Sequence, residues 1–310
     1  MEAPANPTGS VQRLLKALDP HANSLIITMF GDAILPRGGN IWLGSLIALA
    51  KPFGISERLV RTGVYRLARE GWLHSKAKGR RSYYTITPSG LHKFADADRR
   101  IYAADAPSWD GHWRLVQILP RIGQSERQNL RRELKWLGFG QISPTLLAHP
   151  AADEGAVETL LDGLGITQGV LAFRAEAAGF VGADTIRDAA RDAWELGLLN
   201  ADYERFLSNF SWLTQNGQAI GHLSDLDCFV LRTLLIHDYR RILLKDPRLP
   251  ADLLPDGWNG DAARTACAQI YKAIATRADA HLTDLMETYG GVIPDLAPTY
   301  DHRFGGLAQI

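Results

Sequence analysis

The chain has 310 residues, enough for two or three domains, and its 46% hydrophobic and 22% charged residues place it among globular proteins able to bury sizeable cores. Its two cysteines, Cys228 and Cys267, have no paired spacing; this argues against a disulfide framework or cysteine-based zinc site and predicts two small buried hydrophobes. The net charge of zero hides an asymmetry: residues 1–104 carry fifteen Lys and Arg against seven Asp and Glu, residues 105–310 nineteen against twenty-seven, so a polyanion-binding head on an acidic body is expected.

Residues 1–20 contain prolines and polar residues and no apolar core of signal-peptide length. The longest apolar run, Ile41–Ala50, is interrupted by Gly44 and Ser45 and is too short to span a bilayer. A cytoplasmic location without membrane contact is therefore expected. Met1 to about Asp19 reads as a loose arm. SLIITMFGDAIL, following His21, reads as a first helix ended by Pro36 and the Arg37-Gly38-Gly39 turn. Asn40–Ala50 is expected to be a second helix with Trp42, Leu46 and Leu49 in the core, and Lys51-Pro52-Phe53-Gly54 a turn.

The stretch Ser56–Ile86, SERLVRTGVYRLAREGWLHSKAKGRRSYYTI, carries the strongest signal. Ser56 suits an N-cap, and Val60, Val64 and Leu67 recur at i, i+4 and i+7 to make one apolar stripe. At 100° per residue, Arg58, Thr62, Tyr65 and Arg69 fall opposite that stripe, flanked by Arg61 and Arg66. Gly71 ends the helix, and a two-stranded ribbon follows with Lys76, Lys78, Arg80 and Arg81 at its tip. An Arg-rich helix face is often only solvated, and a basic hairpin tip often only protects an edge strand. Here the face mixes Arg with Thr and Tyr, and the charge continues from helix to ribbon. That pattern is what a winged helix-turn-helix presents to duplex DNA.

Pro88-Ser89-Gly90 leads into a helix from Leu91 to about Ala103, and Ala104–Gly111 reads as a linker. A strand at Trp113–Leu119 comes next, then a helix at Ser125–Leu137 capped by Ser125 with Gln128 three residues on. Short strands at Phe139–Ser143 and Thr145–Ala148, a helix at Ala152–Leu164 and a strand at Gln168–Arg174 complete the order β-α-β-β-α-β. This is the ferredoxin-like plan. Thr185–Gly197, Ala201–Asn216 and Leu223–Leu244 carry apolar residues at helical spacing. After a loop, KDPRLPADLLPDGWNG, another helix runs from Asp261 to about Tyr289, and residues 290–310 read as a tail or strap. The expected class is α+β, with a DNA-binding head at 20–104, a middle domain at 109–176 and a helical domain at 183–289.

Four motifs in this order, RTGVYRLAREGWL with RRSYYTITPSG, WDGHWRLVQILP with LKWLGFGQISPTLLAHP, AARDAWELGLLNADYERFL, and LIHDYRRILLKDPRLPADLLPDGWNGDAAR, resemble the PaaX-type repressors of bacterial phenylacetate degradation. The resemblance implies a winged helix-turn-helix head, a ferredoxin-like middle domain and a helical C-terminal domain. It also implies a homodimer that holds double-stranded operator DNA and releases it when an aryl-acetyl-CoA thioester such as phenylacetyl-CoA binds. The C-terminal half offers aromatic residues for an acyl-CoA effector, among them Trp194, Tyr203 and Trp212. It also offers cations on one helix: Arg232, Arg240 and Arg241, with His237. An acyl-CoA needs an apolar slot for its acyl group and cations for its phosphates, whereas an aromatic stripe is usually core and an Arg beside Asp usually an ion pair.

The middle domain also resembles a small CRISPR-associated endonuclease, which gives the alternative of a nucleic-acid-processing enzyme with a DNA-binding head. Such a nuclease would place an Asp near the end of its first strand to hold a cation. That position reads Leu119-Pro120-Arg121, with Asp110 before the strand instead. No P-loop, dinucleotide fingerprint, nucleophile elbow or metal cluster appears, so no cofactor and no catalytic residue is expected.

Overall fold

A computed structural model describes residues 7–103, 109–214 and 218–307. Within it the chain forms two compact units. One comprises the described residues of Met1–Ala104, Glu204–Leu244 and Asp261–Ile310, the other those of Asp105–Tyr203 and Lys245–Gly260. The class is α+β with two small antiparallel sheets. Most of the expected C-terminal helical domain thus shares a core with the N-terminal head. The expected linker falls largely on residues 104–108, outside the described residues.

In the larger unit the elements in chain order are α1 (Pro7–Leu18), α2 (Ala22–Met29), β1 (Asn40–Trp42), α3 (Leu43–Ala50), α4 (Glu57–Arg69), β2 (Leu73–Lys78), β3 (Arg81–Ile86) and α5 (Pro88–Ile101). Two expectations are corrected here. The N-terminal stretch is not a loose arm, because Val11 and Leu14 are buried where α1 packs on a helix more than two hundred residues later. The Thr8 hydroxyl donates to Asp227 in that helix at 2.9 Å. An amphipathic segment this short has no visible partner in sequence, and it folds only against one. The second helix does not begin at Asn40 either. Residues 40–42 pair with Tyr83–Thr85 as an edge strand, set up by Gly38 and Gly39 at φ +85° and +69°. Trp42 is consequently half-buried at the strand end, not a core residue.

The sheet order is β1-β3-β2. Helix α4 buries Val60, Val64 and Leu67 and packs closely on α2 at Gly63, where an added Cβ would lie 2.6 Å from the Ile26 side chain. Only glycine admits that approach without a shift in Ile26.

The same unit holds most of α9 (Leu196–Thr214), the short α10 (Gln218–Gly221), α11 (Asp225–Leu243) and α12 (Gly260–Leu285). Of the nineteen residues of α11, fifteen are buried, including Arg232, His237 and Asp238. A helix enclosed on nearly all sides must satisfy its polar groups internally. Arg232 pairs with Asp32 at 3.0 Å and Asp279 at 2.7 Å. Asp32 also accepts from the Tyr102 hydroxyl at 2.7 Å, the Tyr271 hydroxyl at 2.9 Å and Arg303 at 3.1 Å. Arg303, Tyr300 and Phe304 are buried, so the segment expected as a tail or strap is a strap. Phe304 holds φ +52° and packs on the Tyr102 and Tyr271 rings. Cys228 and Cys267 are buried and free, as expected.

The smaller unit contains β4 (His112–Ile118), α6 (Gln124–Trp136), β5 (Gly140–Ser143), β6 (Leu146–His149), α7 (Glu154–Leu164) and β7 (Val170–Glu176), followed by α8 (Ala183–Ala193). The sheet order is β5-β6-β4-β7, antiparallel throughout. Val116, Ile118, Leu130, Leu134, Phe139 and Leu147 form its core. The expected cap at Ser125 is corrected. Helix α6 starts one residue earlier, with Gly123 as N-cap, and the Glu126 carboxylate accepts from the Gly123 N–H at 3.1 Å. No helix among the described residues is long and apolar enough to cross a membrane.

Candidate nucleic-acid interface

Helix α4 starts where Ser56, in extended conformation, accepts from the Leu59 N–H through its side chain. It stops at Gly71, φ +74°, whose carbonyl accepts from the Thr87 and Ser89 hydroxyls. Val60, Gly63, Val64 and Leu67 are turned inward, leaving Arg58, Arg61, Thr62, Tyr65, Arg66 and Arg69 exposed. Tyr65 is 64% exposed, unusual for an aromatic residue without an outside contact. Arg61 pairs with Glu57 at 2.6 Å and Arg66 with Glu70 at 2.7 Å, both across one exposed helical turn. Such pairs contribute only about 0.3–0.5 kcal/mol, so a phosphate can replace the carboxylate at little cost. The Arg58 and Arg69 side chains have no hydrogen-bond or ion-pair partner among the described residues. The Thr62 hydroxyl donates to the Arg58 carbonyl at 2.9 Å.

The ribbon turns through Gly79 and Arg80, with Lys78 opposite Arg81 and Gly79 at φ +61°. Strand β2 buries only Leu73; its other five residues are exposed. Arg80 projects at the tip without a partner among the described residues. The other three cations have neighbours that the sequence did not reveal. Arg81 donates to both Glu287 carboxylate oxygens, at 2.5 and 2.6 Å. The Lys78 ammonium donates to the Tyr289 carbonyl at 3.3 Å. Lys76 lies 4.3 Å from the Tyr289 ring centroid. The Tyr83 hydroxyl and Arg81 hold the Glu287 carboxyl below its ordinary range. A helix presenting unpaired guanidinium groups beside a basic hairpin can read base edges and follow phosphates.

The residues proposed for an effector are distributed between the two units. Trp194 belongs to the smaller one: its indole N–H donates to the Gly138 carbonyl at 2.7 Å and its ring stacks on Trp113 at 6.3 Å. Tyr203, in the same unit, is buried, donates to Asp246 and meets Trp258 edge-on. In the larger unit Trp212 is half-buried, and Arg232 is held by Asp32 and Asp279. His237 is buried with Nδ1 3.2 Å from the Thr28 hydroxyl. Burial, with Arg240 and Arg241 adding to it, lowers its pKa to about 3. Arg240 lines a narrow cleft of about 20 Å³, room for about one water molecule, with Phe94, Ile101, Ile236, Asp32 and Tyr102, while Arg241 is exposed.

In the smaller unit Asp110 is the carboxylate nearest a nuclease position. Both its oxygens accept from Arg114 at 2.8 Å, and one also from Arg174 at 3.1 Å. These guanidinium groups, Arg114 above all, hold its carboxyl far below the ordinary range. Among the described residues no group of His, Cys, Asp and Glu could hold a metal ion.

Three family descriptions match in sequence order: PaaX-like protein over residues 21–90, PaaX protein central Cas2-like domain over 106–186, and PaaX-like protein C-terminal domain over 194–284. The chain is 38% identical over 298 residues to the transcriptional repressor PaaX of Escherichia coli (strain K12), covering 96% of this chain and 94% of that protein. An uncharacterized protein of Mycobacterium tuberculosis, Rv0674, is similar in structure, with a TM-score of 0.51 and 25% identity, covering 76% of this chain and 89% of that one.

Proposed function

The chain belongs to the PaaX family, and on that premise we propose that its head is a winged helix-turn-helix that holds operator DNA with α4 in the major groove. The protein is a transcriptional repressor, a regulator and not an enzyme, and the family fits control of phenylacetate degradation. The observation that carries the proposal is the exposed face of α4, where Arg58, Thr62, Tyr65 and Arg69 stand opposite a buried stripe. The N-terminal residues of a recognition helix reach deepest into the groove. Arg58 and Thr62 therefore read bases, with Arg61 once released from Glu57. Ser56, Arg66 and Arg69 lie along the backbone.

Arg58→Ala should weaken binding to a duplex selected from random-sequence DNA by the wild-type protein by about 1–3 kcal/mol, with specificity relaxed at one position. Fluorescence anisotropy on the selected and a scrambled duplex measures both. Equal weakening on the two would make Arg58 a phosphate contact.

At the hairpin the projecting Arg80 is the phosphate contact, since Arg81 and Lys78 already have acceptors within the unit. Arg80→Gln should reduce the slope of log affinity against log salt by about 0.9, the release of one counterion. An unchanged slope would take the hairpin tip out of the interface.

The middle βαββαβ unit follows the ferredoxin-like plan. With Asp110 held by two arginines, it serves assembly of a homodimer and not cleavage. The effector is an acyl-CoA thioester such as phenylacetyl-CoA. Recognition of its phosphates falls to Arg240 and the exposed Arg241, because Arg232 is already neutralised by two carboxylates. Linkage makes the coupling reciprocal. Titrating phenylacetyl-CoA with and without the selected duplex tests it, and equal affinities would remove the effector role.

A further inference from the structure

Little of the hairpin's own packing fixes the angle of its outer half. Beyond Leu73 every residue of β2 is exposed, and in β3 only Tyr83 and Ile86 are buried. Pairing with β1 stops at Tyr83, and the two-stranded part beyond it, with so small an anchor, is marginal in water. The outer half is instead fastened to the chain just after α12. The Glu287 carboxylate takes two bonds from Arg81 and one, at 2.6 Å, from the Tyr83 hydroxyl. The Tyr289 ring meets Tyr83 edge-on at 5.4 Å and carries Lys76 above it.

The backbone of this segment is fixed as firmly as its side chains. The Trp42 N–H donates to the Glu287 carbonyl at 2.7 Å, the Glu287 N–H to the Ser45 hydroxyl at 3.1 Å, and the Tyr289 N–H to the Asn40 side chain at 2.7 Å. The segment is thus bonded to β1, the start of α3 and the hairpin at once. On its other side it continues α12, which supplies Tyr271 and Asp279 to the buried ionic cluster around Asp32 and Arg232.

We infer that Glu287 and Tyr289 are positioning residues for DNA recognition: they set the angle of the hairpin against α4 and tie it to the end of α12. This rests on the reading that the head binds operator DNA. The arrangement gives the helical core of the unit a direct mechanical route to the hairpin, since a displacement of α12 along its axis carries Glu287, and with it Arg81 and Tyr83.

The sign of one substitution separates this role from plain electrostatics. Neutralising an acid beside a phosphate-binding hairpin should by charge alone strengthen DNA binding. If Glu287 positions the hairpin, Glu287→Gln weakens binding to the selected duplex, by about tenfold for loss of charge-assisted bonds. Affinity for scrambled DNA falls less. Hydrogen exchange in the full-length protein without DNA provides the second readout: amides of residues 74–84 exchange faster in Glu287→Gln, while those of α4 do not. Tyr289→Leu, which keeps an apolar side chain and removes the ring, should accelerate the same amides.

Tighter or unchanged binding to the selected duplex would overturn the inference, tighter binding marking Glu287 as a competitor of phosphate. Unchanged exchange at 74–84 in both variants would overturn it as well. If wild-type protein selects no duplex, the DNA-binding reading fails on its own. The exchange measurement still decides whether this segment holds the hairpin.

Discussion

Replacing Asp32 with alanine is expected to destabilise the larger unit by about 3–5 kcal/mol, the cost of removing one member of a buried ion pair. In the enclosed part of the cluster Asp32 and Asp279 face Arg232 and Arg303, with Asp98 pairing Arg303 at its half-exposed edge, and Arg232 is fully enclosed. Deleting the Asp32 carboxylate leaves two guanidinium groups against Asp279 and the half-exposed Asp98, and leaves the Tyr102 and Tyr271 hydroxyls without their acceptor. Neither loss can be made good by water in so closed a site. Urea unfolding followed by circular dichroism measures the effect as a shift of the transition at unchanged slope. The single change Arg303→Ala should act in the same direction, because it removes a cation from the same cluster. A loss below 1 kcal/mol for Asp32→Ala would mean that the cluster is not closed to solvent.

Acidification should produce the second large effect. His237 ordinarily titrates near 6.5, but burial, with Arg240, Arg241 and His21 adding to it, lowers its folded value to about 3. The native ring is therefore neutral and sits against the Thr28 hydroxyl. In the unfolded chain it takes up a proton as pH falls below 6.5, so the unfolded state binds more protons and stability falls as the pH is lowered. The contribution is intact above 6.5 and is lost progressively toward 3. Between pH 7 and pH 5 one such group accounts for about 2 kcal/mol. His149 in the smaller unit acts in the same sense, its value lowered to about 4 by burial and by Arg114. His237→Gln keeps a polar contact for Thr28 and cannot take up the proton, so it should flatten the pH dependence of the larger unit. An identical pH profile for variant and wild type would show that His237 is not the titrating group.

The exposed basic face of α4 was legible in the sequence because it is built from neighbours in the chain. Val60, Val64 and Leu67 define a helical stripe by spacing alone, so the exposure of Arg58, Thr62, Tyr65 and Arg69 follows from 3.6 residues per turn. Ser56 and Gly71 mark the helix ends through local hydrogen bonding and a left-handed φ. The βαββαβ order was legible for the same reason, each element carrying its own periodicity. Short or weakly periodic pieces were not. Three residues at Asn40–Trp42 have no period to detect, and α1 looks like many amphipathic segments that never find a partner.

Sequence by itself thus determined the local elements and the polarity of each face. Only the tertiary structure decided which faces meet. It placed α11 and α12 in one core with the head, because α11 is buried on almost every side and can be stable only when enclosed. It set Arg232, proposed from sequence for an effector, between Asp32 and Asp279, residues 200 and 47 positions away. It also gave Arg81 a carboxylate 206 residues along the chain. Charge pairing at that range leaves no periodic trace, since Coulomb attraction depends on distance in space and not along the chain.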